Sequence, residues 1–396
     1  MLDKHTQTVN FNDVETAFTG KSNNDLREMY LLFKVMNNST WVSLGKKMIN
    51  FAFAIHFPVE WIVKRTIYKH FCGGVSIMDS SKLIDKLDKR NVGTILDYAV
   101  EGEESEEMFD ATCNELLNVI TFSHKNKKTP FSAFKLTGIG SLDLMVKVSN
   151  NDTLSELETK SYKMLLKRVD DICRLSHKLG VPVLIDAEQS WIQPMVDSVV
   201  LDMMRKYNKE KAIVQNTYQM YRQDRLDIIK KHHVISKDEG FYLGLKIVRG
   251  AYMEVERERA KEMGYPSPIQ LDKEATDRDF DDAIRYFIDN VDTISFMVAT
   301  HNEKSSQLLA TLIEKKGLQR NNPHVYYSQL YGMSDHLTYN LAENGYNVAK
   351  YVPYGKVKTM IPYLIRRAEE NSSVRGQSSR ELSLIKQELK RRKVSK

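Results

Sequence analysis

The pattern of apolar positions changes once along the chain. Up to about residue 88, apolar residues recur every three or four positions, which predicts helices over Asn24–Asn37, Trp41–Phe57 and Val59–Phe71. Beyond that point short β-branched and aromatic runs take over. Strands are expected at Gly93–Ala99, Phe131–Thr137, Pro182–Asp186, Ala212–Gln215, Gly244–Val248, Ile294–Thr300, His324–Ser328 and Asn347–Tyr351. Helical stretches separate them, for example Leu154–Leu179, Asp224–His233, Lys273–Asn290, Lys304–Lys316 and Ser334–Asn344. Strands alternating with helices predict a parallel α/β fold, with a doubly wound sheet as the alternative. The count of eight, and a polar residue at the C-terminal end of nearly every strand, favour a (β/α)8 TIM-type barrel, which gathers its chemistry at that face. The expected layout is an N-terminal helical segment over residues 1–88, a barrel over 89–375 whose last helix carries an Arg-Arg pair, and a basic tail over 376–396.

Composition narrows the class. With 42% hydrophobic and 28% charged residues, the chain of 396 residues is a soluble globular protein with a sizeable core. Cys72, Cys113 and Cys173 are odd in number and far apart, which argues against a disulfide framework or a zinc cluster, and no metal site is expected. Part of the net charge of +6 lies in Lys386–Lys396, read as a basic helix end turned to water, and no nucleic-acid partner is expected. Asp3, Asp13 and Glu15 make the N-terminus read as neither a signal nor a transit peptide. The most apolar stretch, Met48–Phe57, is too short to span a bilayer. Lys46, Lys47, Trp61, Lys64 and Arg65 flank it, making it a candidate for peripheral membrane contact. The expected location is cytoplasmic, with any such contact on the inner face of a membrane.

The candidate chemistry lies at the strand ends: Lys135, then Asp186-Ala187-Glu188, Gln215, Lys246, Arg249-Gly250-Ala251-Tyr252, Thr300-His301-Asn302, Leu330 and Tyr351. Each alone has an ordinary structural reading. Asp186 or Thr300 can cap a helix, His301 can be a satisfied core histidine, and Gly250 can serve a turn. Recurrence around a whole barrel points instead to one site. The nonapeptide Tyr363-Leu364-Ile365-Arg366-Arg367-Ala368-Glu369-Glu370-Asn371 adds two guanidinium forks. Helical spacing sets Tyr363 over both arginines and Arg366 over Glu370, a patch that suits a substrate carboxylate and equally describes a solvated, ion-paired helix face. No HExxH, GxSxG or Walker sequence is present. Five cations, Lys135, Lys246, Arg249, Arg366 and Arg367, call for anionic ligands: a carboxylate, and a cofactor bearing phosphates.

Taken together and in this order, these residues resemble proline dehydrogenase, the FAD-dependent (β/α)8-barrel enzyme family of proline catabolism. The resemblance implies oxidation of L-proline to Δ1-pyrroline-5-carboxylate, with electrons passed to a quinone or other acceptor. It implies that Arg366, Arg367 and Lys135 hold the proline carboxylate, that Tyr252, Leu330, Tyr351 and Tyr363 wall the ring, and that Glu370 orients the arginines. Ala187, Gln215, Arg249, Gly250, Ala251, Thr300, His301 and Asn302 would bind FAD, with Asp186 and Lys246 as catalytic groups beside the flavin. Many bacterial members carry arginine where this chain has Lys246, and a lysine offers a point charge in place of a fork. The resemblance further implies proline over hydroxyproline, since Tyr351 leaves little room near the ring, and a monofunctional enzyme without an aldehyde dehydrogenase domain. Two rivals are another flavin barrel of the methylenetetrahydrofolate reductase kind, and a basic scaffold that binds membrane or nucleic acid.

Overall fold

In the computed structural model, the apolar runs beyond residue 88 pair in chain order into a closed barrel of eight parallel strands. The structure describes residues 8–54, 60–98, 104–373 and 377–394. The strands are β1 (Val92–Tyr98), β2 (Phe131–Phe134), β3 (Val183–Ile185), β4 (Val214–Gln219), β5 (Leu243–Val248), β6 (Ile294–Ala299), β7 (Val325–Leu330) and β8 (Val348–Tyr354). Closure is made by β1 against β8, where Ile95 registers with Tyr351. Alternate side chains enter the barrel, and Ile95, Phe131, Ala133, Leu184, Met297, Ala349 and Tyr351 fill its interior. The opposite faces pack beneath the surrounding helices in one larger core that includes Leu96, Ile185, Leu245, Val298 and Val352.

Local signals explain where the helices begin. Ser22, Ser76 and Ser155 each start a helix with a reciprocal capping box, using Asp25, Asp79 and Glu158 three residues on. Ser105 caps the helix Glu106–Lys125, and Glu106 and Glu107 in its first turn complement the helix dipole. That helix, together with Gln193–Tyr207 and Met253–Met263, also lies between strands, in keeping with the expected alternation.

Three strand ends differ from expectation by three residues or more, one of them that of β8, which runs to Tyr354 and not only to Tyr351. β2 stops at Phe134, because Leu136–Gly138 turns into a 3-10 helix. β4 runs to Gln219, well past the expected end at Gln215. Its polar run continues as strand because buried partners satisfy it: Asn216 donates to Asp197 at 2.9 Å, and Tyr218 meets His232 at 2.7 Å.

The N-terminal helices Asn23–Met36 and Ser39–Ala54, and the helical stretch of residues 60–71, meet the helix Val357–Ser373. Met36, Val63, Tyr68, Phe71, Met360, Ile361 and Leu364 make this contact. Tyr68 Oη donates to the Gly74 and Gly355 carbonyls at 2.6 and 2.7 Å, holding down the start of that last helix. The basic end of the chain is not simply a solvated run. It forms the helix Gln377–Val394, which buries Leu384 and Ile385 against Phe18, Leu26 and Phe33.

Where the N-terminal segment meets β8, Asp335 and Lys350 are buried and Lys21 is partly buried beside them. Asp335 lies 3.1 Å from Lys350 and 3.3 Å from Lys21. Burial opposes the charge on Asp335, yet Lys21 and Lys350 outweigh it and hold the carboxyl below its usual range. Its folded pKa is thus below the unfolded one, so its stabilisation is present at neutral pH and is lost as pH falls. Replacing Lys350, which is wholly buried, with methionine leaves Asp335 only Lys21 as a cationic partner and is expected to cost about 3 kcal/mol in urea unfolding. Lys46→Ala, which opens a half-exposed pair with Glu369, should cost less than about 1 kcal/mol. Equal losses would contradict this ranking.

Candidate active site

The mouth of the barrel is built from the residues just beyond the strands. Asp186 follows β3, and its Oδ1 accepts from Lys246 Nζ of β5. Its Oδ2 accepts from Tyr351 Oη of β8 at 2.6 Å. Lys246 also lies over the Tyr351 ring, 5.0 Å from its centroid. Burial works against an ionised Asp186, but Lys246 and Lys135 outweigh it and hold the carboxyl low. Lys135 follows β2 and stands 3.8 Å from Asp97 at the end of β1. Burial opposes its charge too, and Asp97 and Asp186 override that and raise its pKa. Asp97 itself is pushed up by burial.

A cavity of about 300 Å³ opens above β1 to β3. Lys135, Glu188, Tyr252, Tyr363 and Arg366 line it, along with Asp97, Phe134 and Phe109. It therefore brings together four of the residues expected to hold the substrate. Glu188 is anchored rather than free to act as a base: Thr137 donates to it through its amide at 3.2 Å and its hydroxyl at 2.6 Å. Burial pushes its carboxyl up. Arg367 lies over the Tyr363 ring, its guanidinium 5.4 Å from the centroid, and its charge helps to lower the His301 pKa. Leu330 closes β7 opposite Tyr351, to which it is registered. The Glu370 side chain lies outside the described residues.

A second polar group surrounds the ends of β5 and β6. Arg249 donates to Asp277 at 2.7 Å, Thr300 Oγ1 at 2.7 Å and Ser305 Oγ at 3.0 Å, with its guanidinium 4.3 Å from the Phe280 ring. Asn302 caps the helix Glu303–Lys315 and accepts from the Lys304 and Ser305 amides. His301 Nδ1 meets Ser334 Oγ at 2.9 Å. Burial first, then Lys350 and Arg367, push the His301 pKa down to about 3, so its ring is neutral at physiological pH. Gly250 has φ 142°, and a Cβ there would meet the Tyr221 ring at 2.5 Å, so glycine is required by packing at this turn. Ala251 donates its amide to Gln219 Oε1 at 3.1 Å. Ala187 sits between Asp186 and Glu188 on the loop after β3.

One expected residue is misplaced. Gln215 lies deep in β4, registered with Leu184 and donating to the Ala212 carbonyl at 3.4 Å, well below the mouth. The glutamine at the mouth is Gln219, four residues on and on the same face of the strand. It bridges the loops after β3 and β5 by donating to the Glu188 carbonyl at 2.6 Å and accepting from Ala251. The error follows from ending β4 too early. Asp97 was missed as well, although an acid closing the first apolar strand is the same signal that marks Asp186. Among the described residues, no cluster of His, Cys, Asp or Glu suits a metal ion.

The profile of the family described as "Proline dehydrogenase" matches residues 80–380. Proline dehydrogenase 1, mitochondrial, of Dictyostelium discoideum is 33% identical over 96% of this chain and 74% of its own length. The carbapenem antibiotics biosynthesis protein CarD of Pectobacterium carotovorum is 34% identical over 82% of this chain and 84% of its own. Among solved structures, proline utilization A from Bdellovibrio bacteriovorus, inactivated by N-propargylglycine, superposes with a TM-score of 0.71 at 20% identity. The match covers 92% of this chain and 38% of that one, and at this identity it speaks for the barrel fold alone. The family profile covers most of the chain and includes every candidate site residue named above, so the chain belongs to the proline dehydrogenase family, a family of flavin-dependent oxidoreductases.

Proposed function

We propose that the mouth of this barrel binds L-proline in the cavity beneath Arg366 and binds FAD along the ends of β4 to β6. In this family proline is oxidised in the first step of its catabolism. The observation that carries the assignment to particular residues is the meeting of Arg366 with Lys135, Tyr252 and Tyr363 around one cavity. A carboxylate there faces two cations from different elements, and a guanidinium can hold it by two parallel hydrogen bonds. The tyrosine faces and Leu330 supply apolar walls for a five-membered ring.

The donor set on the other side suits FAD. Arg249 and Lys246 are cations that match phosphates or ring carbonyls, while His301, Asn302 and the start of the helix Glu303–Lys315 add neutral donors and a favourable helix dipole. Bound there, FAD supplies the two-electron sink for the hydride on the ring carbon next to the proline nitrogen. The chain's own residues do the rest. Arg366 and Lys135 orient the ring by its carboxylate, and Tyr351 limits its depth. Asp186 balances Lys246 and Lys135, while the positive charges that remain favour the neutral amine over the ammonium.

The electron acceptor is proposed to be a quinone reached at a membrane surface. Trp41, Leu44, Met48, Trp61 and Ile62 are exposed, and Arg65 stacks 5.0 Å from the Trp61 ring. The end of the apolar stretch, at residues 55–57, lies outside the described residues. Among the described residues, no helix is long and apolar enough to cross a membrane. Aromatic and basic residues together suit the headgroup region of an anionic bilayer. The proposed location is cytoplasmic, with this surface against the inner face of a membrane.

The purified protein should be yellow, and its flavin absorbance should bleach on anaerobic addition of L-proline; a colourless protein or an unbleached flavin refutes the reading. Arg366→Met should raise KM for proline at least about tenfold, the effect of losing a buried charged contact, with FAD still bound. An unchanged KM would show that Arg366 does not hold the carboxylate. Tyr351→Ser should lower kcat/KM for proline and narrow the preference over hydroxyproline, and equal kcat/KM for both substrates in the unmutated enzyme would overturn Tyr351 as the discriminator. Trp41→Ser with Trp61→Ser should weaken cosedimentation with anionic vesicles and leave dye-linked turnover intact. Undiminished sedimentation would remove the membrane surface from the account.

A further inference from the structure

The C-terminal helix Gln377–Val394 reaches the proposed cofactor site through one buried carboxylate. The proline dehydrogenase profile ends at residue 380, one position before it. Glu381 is 1% exposed, and its Oε1 accepts the backbone N–H of Ser334. Ser334 stands at φ 52° and ψ 42°, a left-handed conformation that costs a non-glycine residue about 1 kcal/mol or more, and it opens the helix Asp335–Glu343. Its hydroxyl meets His301 Nδ1 at 2.9 Å. The neighbouring Arg380 donates to Glu303 at 2.7 Å, and Glu303 meets His336 at 3.0 Å. Two successive residues of the last helix therefore touch the loops after β6 and β7.

The helix is docked independently of these contacts. Leu384 and Ile385 are fully buried, and Arg392 donates to the Lys21 and Phe18 carbonyls at 2.8 and 2.9 Å. A change at Glu381 alone therefore leaves the helix in place. A buried carboxylate on a strained turn is costly unless its hydrogen bond is needed. Ser334 lies between Glu381 and His301 with both of its polar groups committed, so the carboxylate acts on the histidine through the turn.

We propose that Glu381 is a positioning residue for the cofactor loop: it holds the left-handed turn at Ser334 and, through the Ser334 hydroxyl, fixes the orientation of the His301 ring. The inference rests on the reading above in which His301 faces FAD. Two measurements separate them: the FAD dissociation constant of the apoprotein by flavin fluorescence, and hydrogen exchange of the Ser334 amide. Glu381→Ala should weaken FAD binding about tenfold and speed Ser334 exchange by a similar factor, as expected for one lost buried hydrogen bond. Glu381→Gln keeps an oxygen acceptor and should restore most of both. Should Glu381→Ala fail to fold, Ser334→Gly serves instead, since glycine accepts the turn geometry while losing the hydroxyl. It should weaken FAD binding by a similar factor. Unchanged FAD affinity in Glu381→Ala or Ser334→Gly, with FAD bound by the unmutated protein, overturns the positioning role. An unmutated protein that binds no FAD overturns the cofactor reading, and unaltered Ser334 exchange in Glu381→Ala then overturns the turn contact as well.

Discussion

Asp186 is the charge about which the barrel mouth is arranged. It projects among Lys246, Lys135 and Tyr351, accepting directly from the first and the last. Without it, two lysines would face each other in a poorly solvated space, which is costly. With it, Lys246 is committed inside the barrel and Tyr351 is held by its hydroxyl. Lys135 is shared with Asp97. The barrel thus neutralises much of its own positive charge, and Arg366 from the last barrel helix adds a cation beside Lys135 in the cavity.

That division explains why the elements around the barrel matter to its chemistry. The helix Val357–Ser373 carries Arg366 over the cavity, and its seat is the apolar contact with the N-terminal helices through Met36, Val63, Tyr68 and Phe71. The same helix carries Arg367 beside Tyr363, so one turn of helix presents two guanidinium groups at the mouth. The basic C-terminal helix, in turn, ties down the loops beside His301 through Arg380 and Glu381. Additions at both ends of the chain fix groups that the strands alone do not supply.

Much of this was legible in the sequence because the signals were local. Eight β-rich runs separated by helices mark the barrel, and Asp186, Lys246 and Arg249 stand at or beside the ends of those runs. The spacing Tyr363 to Arg367 placed the arginines on one helical patch. What was not legible depended on tertiary partners. β4 was cut short at Gln215 because Asn216 and Thr217 look like loop, and only Asp197 in a neighbouring helix makes Asn216 a strand residue. The mouth residue Gln219 was lost with that boundary. Glu381 and Glu388 read as parts of a solvated basic tail, although both are buried by pairings with distant or helical neighbours: Ser334 for one, Arg391 and Arg392 for the other. A buried charge cannot be told from an exposed one by composition alone.

The central claim is that the cavity beneath Arg366 reads a ring carboxylate by charge. Competition by two non-oxidisable ligands, cyclopentanecarboxylate and its neutral carboxamide, against proline turnover tests it most directly. The account predicts that the carboxylate competes and that the amide is at least about tenfold weaker, as expected when a charge-assisted bidentate contact is removed. Equal inhibition by the two compounds would contradict it.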